Sequence, residues 1–168
     1  MNSGYAVIDV ETTGLTPQRH RVVEIGVVTL TANGEVETDW STLLNPNCNL
    51  GPVHVHHITA ADIIGAPVFA EIVDDLASLL AGRIITGHNV RFDAAFAERE
   101  FQRAGQTASI PAQACLDTMN LVKRAGVVGP GGRLTLQSCC NHLGVRNDGP
   151  PGADGLGQVQ LQSPRCAQ

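Results

Sequence analysis

Tyr5-Ala6-Val7-Ile8-Asp9-Val10-Glu11-Thr12-Thr13-Gly14-Leu15 is the stretch from which the rest of the chain is read. Tyr5 to Val10 is an apolar, β-rich run, and successive side chains on a strand alternate between its faces. Asp9 and Glu11 therefore point the same way from a strand that is otherwise built for burial. Two like charges side by side repel, and burying them unpaired costs several kcal/mol or forces protonation. A divalent cation removes both problems. No Cys or His stands at ligand spacing beside the pair, so its hard oxygen donors favour Mg²⁺ or Mn²⁺ over zinc. An Asp-x-Glu pair alone is common and usually solvated. Here an apolar strand precedes it and a Thr-Thr-Gly turn follows, which marks the end of a central strand and not an edge. Gly14 suits a tight turn with its backbone close to a ligand.

The chain has 168 residues, a single domain by length and large enough for a real core. With 43% hydrophobic and 16% charged residues it falls in the soluble globular class. No apolar run approaches the ~20 residues that span a bilayer, and the N-terminus lacks a basic-then-apolar signal pattern, so no membrane partner is expected. The five cysteines are irregularly spaced, with Cys139-Cys140 adjacent in a helical pattern and no C-x-x-C. They read as reduced, mostly buried thiols of a cytoplasmic protein. A net charge of −5 argues against holding nucleic acid by charge alone, but not against gripping a short strand through metals and a narrow cleft.

Val22 to Leu30 is a second strand, near-continuously apolar and so central, with Glu24 its one charge. A paired structural carboxylate and a functional one are equally good readings of Glu24. Ala32-Asn33-Gly34-Glu35 is a turn signal, and Val36 to Leu43 returns as a third strand. After a loop opening at Asn45-Pro46, Thr59 is expected to cap a short helix through Ile64. Pro67 then starts a longer one, with Val68, Phe69, Ile72, Val73, Leu76, Leu79 and Leu80 on one stripe and Gly82 as the stop. Arg83 to Thr86 is a short strand. Gly87-His88-Asn89 turns into a helix from Val90 to Ala104, closed by Gly105. Cys115-Leu116-Asp117-Thr118 ends a further short strand and caps a helix through Arg124. A Gly/Pro loop leads to a last helix, Leu134 to Leu143, stopped by Gly144. The order β-β-β-α-β-α-β-α-α predicts an α/β fold, a mixed sheet with helices packed against it.

Asp93, in Asn89-Val90-Arg91-Phe92-Asp93-Ala94-Ala95-Phe96, falls in the first turn of a helix, with Phe92 and Phe96 at i, i+4 toward the core. An acid there is favourable on dipole grounds alone, so by itself Asp93 reads as a helix-start carboxylate.

Together these segments resemble the DnaQ-like (DEDD, His-base branch) 3′→5′ exonucleases, which include the proofreading epsilon subunit of bacterial DNA polymerase III. Ile8 to Leu15 looks like the family's first motif and Gly87 to Asp93 like its second. Val23-Glu24-Ile25-Gly26, His56-His57-Ile58-Thr59, Leu116-Asp117-Thr118 and Leu134-Thr135-Leu136 follow in the family's order. The resemblance implies a ribonuclease H-like mixed five-stranded sheet, three strands in meander and then two parallel ones, flanked by helices. It implies two Mg²⁺ or Mn²⁺ ions held by Asp9, Glu11 and Asp93, and hydrolysis of phosphodiesters at the 3′ end of single-stranded DNA in proofreading or repair. Thr12, Gly14 and Leu15 would line the terminal nucleotide, with Leu15 as a wedge under its base, and His56, Asn89 and Phe92 would border the same groove. For His56, a histidine simply packed at the loop surface is an equal reading. A DNA polymerase subunit is the implied protein partner.

One part of the family pattern is missing. The third motif is a His, four intervening residues, then an Asp, the His acting as general base and the Asp as the last metal ligand. Here Asp148 and Asp154 are preceded, five positions earlier, by Leu143 and Gly149. Tyr5 is the only tyrosine, so the Tyr-base branch is excluded too. From Asn147 onward the chain is rich in Gly, Pro and Gln without a helical stripe. The expected organisation is an exonuclease domain over 1–145, C-terminally truncated, and a disordered tail over 146–168. Asp148 or Asp154 could supply a fourth carboxylate only by folding back. Impaired turnover is expected, since a positioned general base contributes ~10²–10⁴-fold. The alternatives are a non-catalytic nucleic-acid or polymerase-binding module of the same fold, and a relative that trims RNA ends.

Overall fold

The computed structural model describes residues 4–106, 115–127, 132 and 134–146. The expected tail from Asn147 onward, with Asp148, Asp154 and Cys166, lies outside the described residues.

The first three strands, β1 (Tyr5–Thr12), β2 (Val22–Leu30) and β3 (Val36–Leu43), form an antiparallel meander. Two further strands, β4 (Ile84–Gly87) and β5 (Leu116–Asp117), add in parallel on the other side of β1, giving the order β3-β2-β1-β4-β5. The expected mixed five-stranded sheet is present, and β1 lies at its centre. Polar, exposed β3 forms one edge.

Period-two alternation gives β1 two distinct faces. Ala6, Ile8 and Val10 are 2% exposed or less and join the main core with Ile25 and Val27 of β2. Two helices cover that face. The stripe Phe69, Ile72, Val73 and Leu76 of α2 (Phe69–Leu80) and the stripe Val90, Ala94, Phe96, Ala97 and Phe101 of α3 (Val90–Arg103) complete the core. Phe69 and Phe101 meet edge to face, 5.5 Å between ring centroids. Asp9 and Glu11 leave β1 on the opposite face.

After β5, Asp117 caps α4 (Thr118–Arg124) by accepting the N–H of Met119, and Thr135 caps α5 (Leu136–Leu143) by accepting that of Ser138. Gly144 ends α5 at φ 67°, a left-handed geometry that favours glycine. Among the described residues no helix is long and apolar enough to cross a membrane.

Some boundaries differ from the sequence reading. The helix expected over Thr59–Ile64 is absent, and a four-residue helix, α1 (Val53–His56), precedes that place. The reason is a reversed cap: the Asp62 carboxylate accepts both the N–H and the hydroxyl of Thr59 at 2.7 Å, which holds a turn. α2 begins at Phe69 and not Pro67, because the Glu71 carboxylate accepts the Val68 N–H at 2.8 Å and makes Val68 the cap. The thiols also depart from expectation. Cys139 alone is buried, Cys115 and Cys140 are intermediate, and Cys48 is exposed, with no disulfide among the described residues.

Candidate active site

The site forms where β1 outruns β4. Asp9 and Glu11 stand on one face of β1, and the antiparallel register sets Glu24 of β2 directly opposite Glu11. Like charges across a ladder destabilise it, and here they do so with little water to screen them. Burial, and then the Glu24 charge, pushes the Asp9 carboxyl up to about 7. Glu11, 7% exposed, is pushed up to about 8 by burial, then by Asp9 and Glu24. Glu24 is the contributor that sequence reasoning left undecided. Its signal was a single charge in an apolar strand, but only the register shows what it faces.

Asp93 arrives from the other side of β1. The Gly4 carbonyl accepts the Ile84 N–H at 3.0 Å, so even-numbered residues of β1 turn their backbone groups toward β4. That pairing stops at Val7–Thr86, and the Val10 amide, on the same side, has passed the end of β4. Asp93 takes its place as acceptor, with the Val10 N–H donating to Oδ1 at 3.1 Å. A carboxylate in the first turn of α3 also complements the helix dipole. Asp93 is 4% exposed, and burial, then the Asp9 charge, pushes it up to about 8 against that hydrogen bond.

Three carboxyls that would ionise near 4 in water thus hold their protons to neutral pH or above. Among the described residues no three His, Cys, Asp or Glu side chains already stand closed as a metal cage; the acids are coupled by charge. An oxygen-only donor set whose members repel one another is chemically suited to a hard divalent cation, which would displace the protons.

The turn after β1 is rigid. The Thr12 hydroxyl donates to the Gly14 carbonyl at 2.7 Å. At the neck, the Thr13 N–H donates to the Arg21 carbonyl at 2.9 Å and the Arg21 N–H to the Thr13 hydroxyl at 3.0 Å. The His20 ring lies against Gly14, where a Cβ would sit 2.4 Å from its Cδ2, so a side chain there would have to displace the ring. Behind the turn, Glu100 is buried and accepts from Arg21 Nε at 2.7 Å and Arg103 Nη1 at 2.8 Å. Arg103 also donates to the carbonyls of Pro17, Gln18 and His20. This brace was not foreseen, since Arg21 and Glu100 lie 79 residues apart. It leaves Leu15 standing out, 76% exposed.

His56 is buried, with both ring nitrogens engaged by main chain. Nδ1 accepts the Ile58 N–H at 3.0 Å, so Nε2 carries the proton and donates to the Leu50 carbonyl at 3.0 Å. Phe92 is partly buried against Phe96, ring centroids 4.9 Å apart. Asn89 caps α3 in the left-handed region, φ 67°.

The family model described as Exonuclease (RNase_T) matches residues 6–150. DNA polymerase III subunit epsilon of Treponema pallidum (strain Nichols) is 35% identical over 98 residues, 57% of this chain and 45% of that protein. The 3′-5′ exonuclease DinG of Bacillus subtilis (strain 168) is 29% identical over 160 residues, 92% of this chain and 16% of that protein. The chain therefore spans less than half the length of these two relatives. Among solved structures, the zinc-bound form of E. coli exonuclease I in complex with single-stranded DNA superposes with a TM-score of 0.72 at 18% identity, covering 86% of this chain and 36% of that one. That likeness is one of fold.

Proposed function

We propose that this chain, which belongs to the exonuclease family, is a metal-dependent 3′→5′ exonuclease domain acting on DNA ends, with turnover limited by its third motif. The observation that carries the reading is the Val10 N–H donating to Asp93, which anchors a third acid to the backbone between Asp9 and Glu11. Asp9, Glu11 and Asp93 would hold two Mg²⁺ or Mn²⁺ ions. When bound, such ions supply Lewis-acid stabilisation of the attacking and leaving oxygens in phosphodiester hydrolysis.

The chain's own groups do the rest. The braced turn presents the Thr12 and Gly14 backbone and the Leu15 side chain to a terminal nucleotide. Asn89 and Phe92 border the same groove, and His56 keeps the loop behind it in shape through its two main-chain hydrogen bonds. No side chain at the third-motif spacing can take a proton from water, because Leu143 and Gly149 occupy the positions where a His would precede Asp148 and Asp154. We therefore assign retained metal binding, weak binding of single-stranded 3′ ends and slow turnover.

That missing His also supports a second reading, a non-catalytic nucleic-acid or polymerase-binding module. An RNA end is the alternative substrate, a DNA polymerase subunit the protein partner, and the cytoplasm the location. The test is release of nucleotides from 3′-labelled DNA and RNA oligonucleotides with Mn²⁺, comparing this chain with a version carrying a His-x4-Asp helix after Val145. Turnover should rise at least ~10²-fold in the grafted version. Equal, substantial rates would show that another residue acts as base. No release from either would favour the binding module.

A further inference from the structure

Asp117 and Thr118 lie outside the acidic site, yet their hydrogen bonds converge on the turn that leads into it. β4 and β5 share only the short ladder Thr86–Leu116 and Gly87–Asp117, so backbone pairing alone holds this end of the sheet weakly. Side chains supply the remainder. Asp117 Oδ1 accepts the N–H of Asn89 and that of Met119, each at 3.0 Å, and its Oδ2 accepts from Asn120 Nδ2 at 3.0 Å. The Thr118 hydroxyl donates to the Gly87 carbonyl at 3.0 Å, and His88 Nδ1 lies 3.1 Å from the same hydroxyl. His88 Nε2 donates to the Leu134 carbonyl at 2.6 Å and ties in the segment before α5. Gly87 is thus gripped by Thr118 and Asn89 by Asp117, while His88 between them is tied to the Leu134 carbonyl.

The grip matters because of what the turn must do. Asn89 is a non-glycine residue at φ 67°, a sparsely populated conformation that persists only when its surroundings hold it. α3 starts at the next residue, and Asp93 follows within its first turn. If the turn relaxed, α3 would begin differently and the Asp93 carboxyl would leave the Val10 amide.

We propose that Asp117 and Thr118 are positioning residues for the metal site, clamping the Gly87–Asn89 turn so that Asp93 meets the Val10 N–H. The inference rests on the reading of Asp9, Glu11 and Asp93 as metal-binding groups. Groups that orient metal ligands from behind are commonly worth ~10–100-fold in metal affinity.

The test uses the full chain and its Asp117→Ala, Asp117→Asn and Thr118→Val variants. Two quantities are followed: amide hydrogen exchange of Val10 without metal, and Mn²⁺ affinity by calorimetry. Asp117→Ala should speed Val10 exchange while Ile25, on β2, keeps its rate, and should weaken Mn²⁺ binding by about 10-fold. Asp117→Asn keeps an acceptor oxygen for the Asn89 N–H and should recover most of both, and Thr118→Val should show a smaller loss in the same direction. Parent-like Val10 exchange and Mn²⁺ affinity in Asp117→Ala, with only a lower melting temperature, would overturn the proposal. If Asp117→Ala does not fold, parent-like values of both quantities in Thr118→Val would overturn it equally. A parent chain that binds no Mn²⁺ would instead defeat the metal-site reading, and Val10 exchange alone would then decide the positioning role.

Discussion

The Val10 N–H donates to the Asp93 carboxylate at 3.1 Å, joining residues 83 apart in the chain. The bond occupies the gap where β4 ends and β1 continues, so a backbone donor that would otherwise be orphaned is satisfied by an acid of the site. The structural role of Asp93 and its proposed role as a metal ligand are therefore separable. Asp93→Asn keeps an acceptor oxygen for Val10 but removes the charge. The metal-free variant should melt no lower than the parent at pH 8, while Mn²⁺ affinity falls at least ~10-fold. Thermal melts and calorimetry on the same samples check both halves.

Stability should depend on pH through the raised acids. Asp9 near 7 and Glu11 and Asp93 near 8 lie above the ~4 of unfolded carboxyls. Between those values the folded chain binds more protons than the unfolded one. The contribution is therefore complete below about pH 4 and is lost as pH rises through 7 to 8. On the proposed reading a divalent cation would take over from the protons, so Mn²⁺ should raise the melting temperature little at about pH 5 and most above about pH 8. Melting curves in EDTA and in Mn²⁺ across this range provide the check. The metal-free decline should be smaller in Asp9→Asn.

Glu24 should act on the site at a distance of one strand. Its charge raises both Asp9 and Glu11, so Glu24→Gln should let them ionise at lower pH. The midpoint pH of Mn²⁺ binding is expected to fall relative to the parent. An unchanged midpoint would show that burial alone sets the two acids.

The Glu100 brace should govern the turn that carries Leu15. Glu100→Ala removes the carboxylate shared by Arg21 and Arg103, but both guanidiniums are partly exposed and keep main-chain carbonyl acceptors, so the loss is expected to be about 2–3 kcal/mol and below that of a fully buried pair. Tryptic cleavage at Arg19 and Arg21 should accelerate more than cleavage at Lys123. Denaturant unfolding supplies the energy and timed digestion the location.

Thr29 offers a contrast, since it is 1% exposed and its hydroxyl has no partner among the described residues. Thr29→Val keeps the shape, removes the orphaned group and should stabilise the chain by about 1 kcal/mol in urea unfolding.

Local pattern made much of this protein legible in one dimension. Alternation in Tyr5–Glu11 places Asp9 and Glu11 on one face, because the strand period depends only on adjacent residues. The hairpin turn at Gly34, the stripe of α2, the cap of α4 at Asp117 and the stop of α5 at Gly144 are likewise local, and each stands where sequence chemistry puts it. Even local reading failed where two signals competed. Thr59 has the character of a helix cap, but Asp62 is close enough to capture its N–H and hydroxyl, and a turn results.

What tertiary structure alone decided are the partners. Strand register set Glu24 against Glu11, packing brought Glu100 to Arg21 and Arg103, and the clamp on Asn89 aimed Asp93 at Val10. The physical reason is common to all three. Each depends on where a distant segment comes to rest, which is settled by burying the shared core of β1, β2, α2 and α3 and not by the propensities of the residues that finally meet.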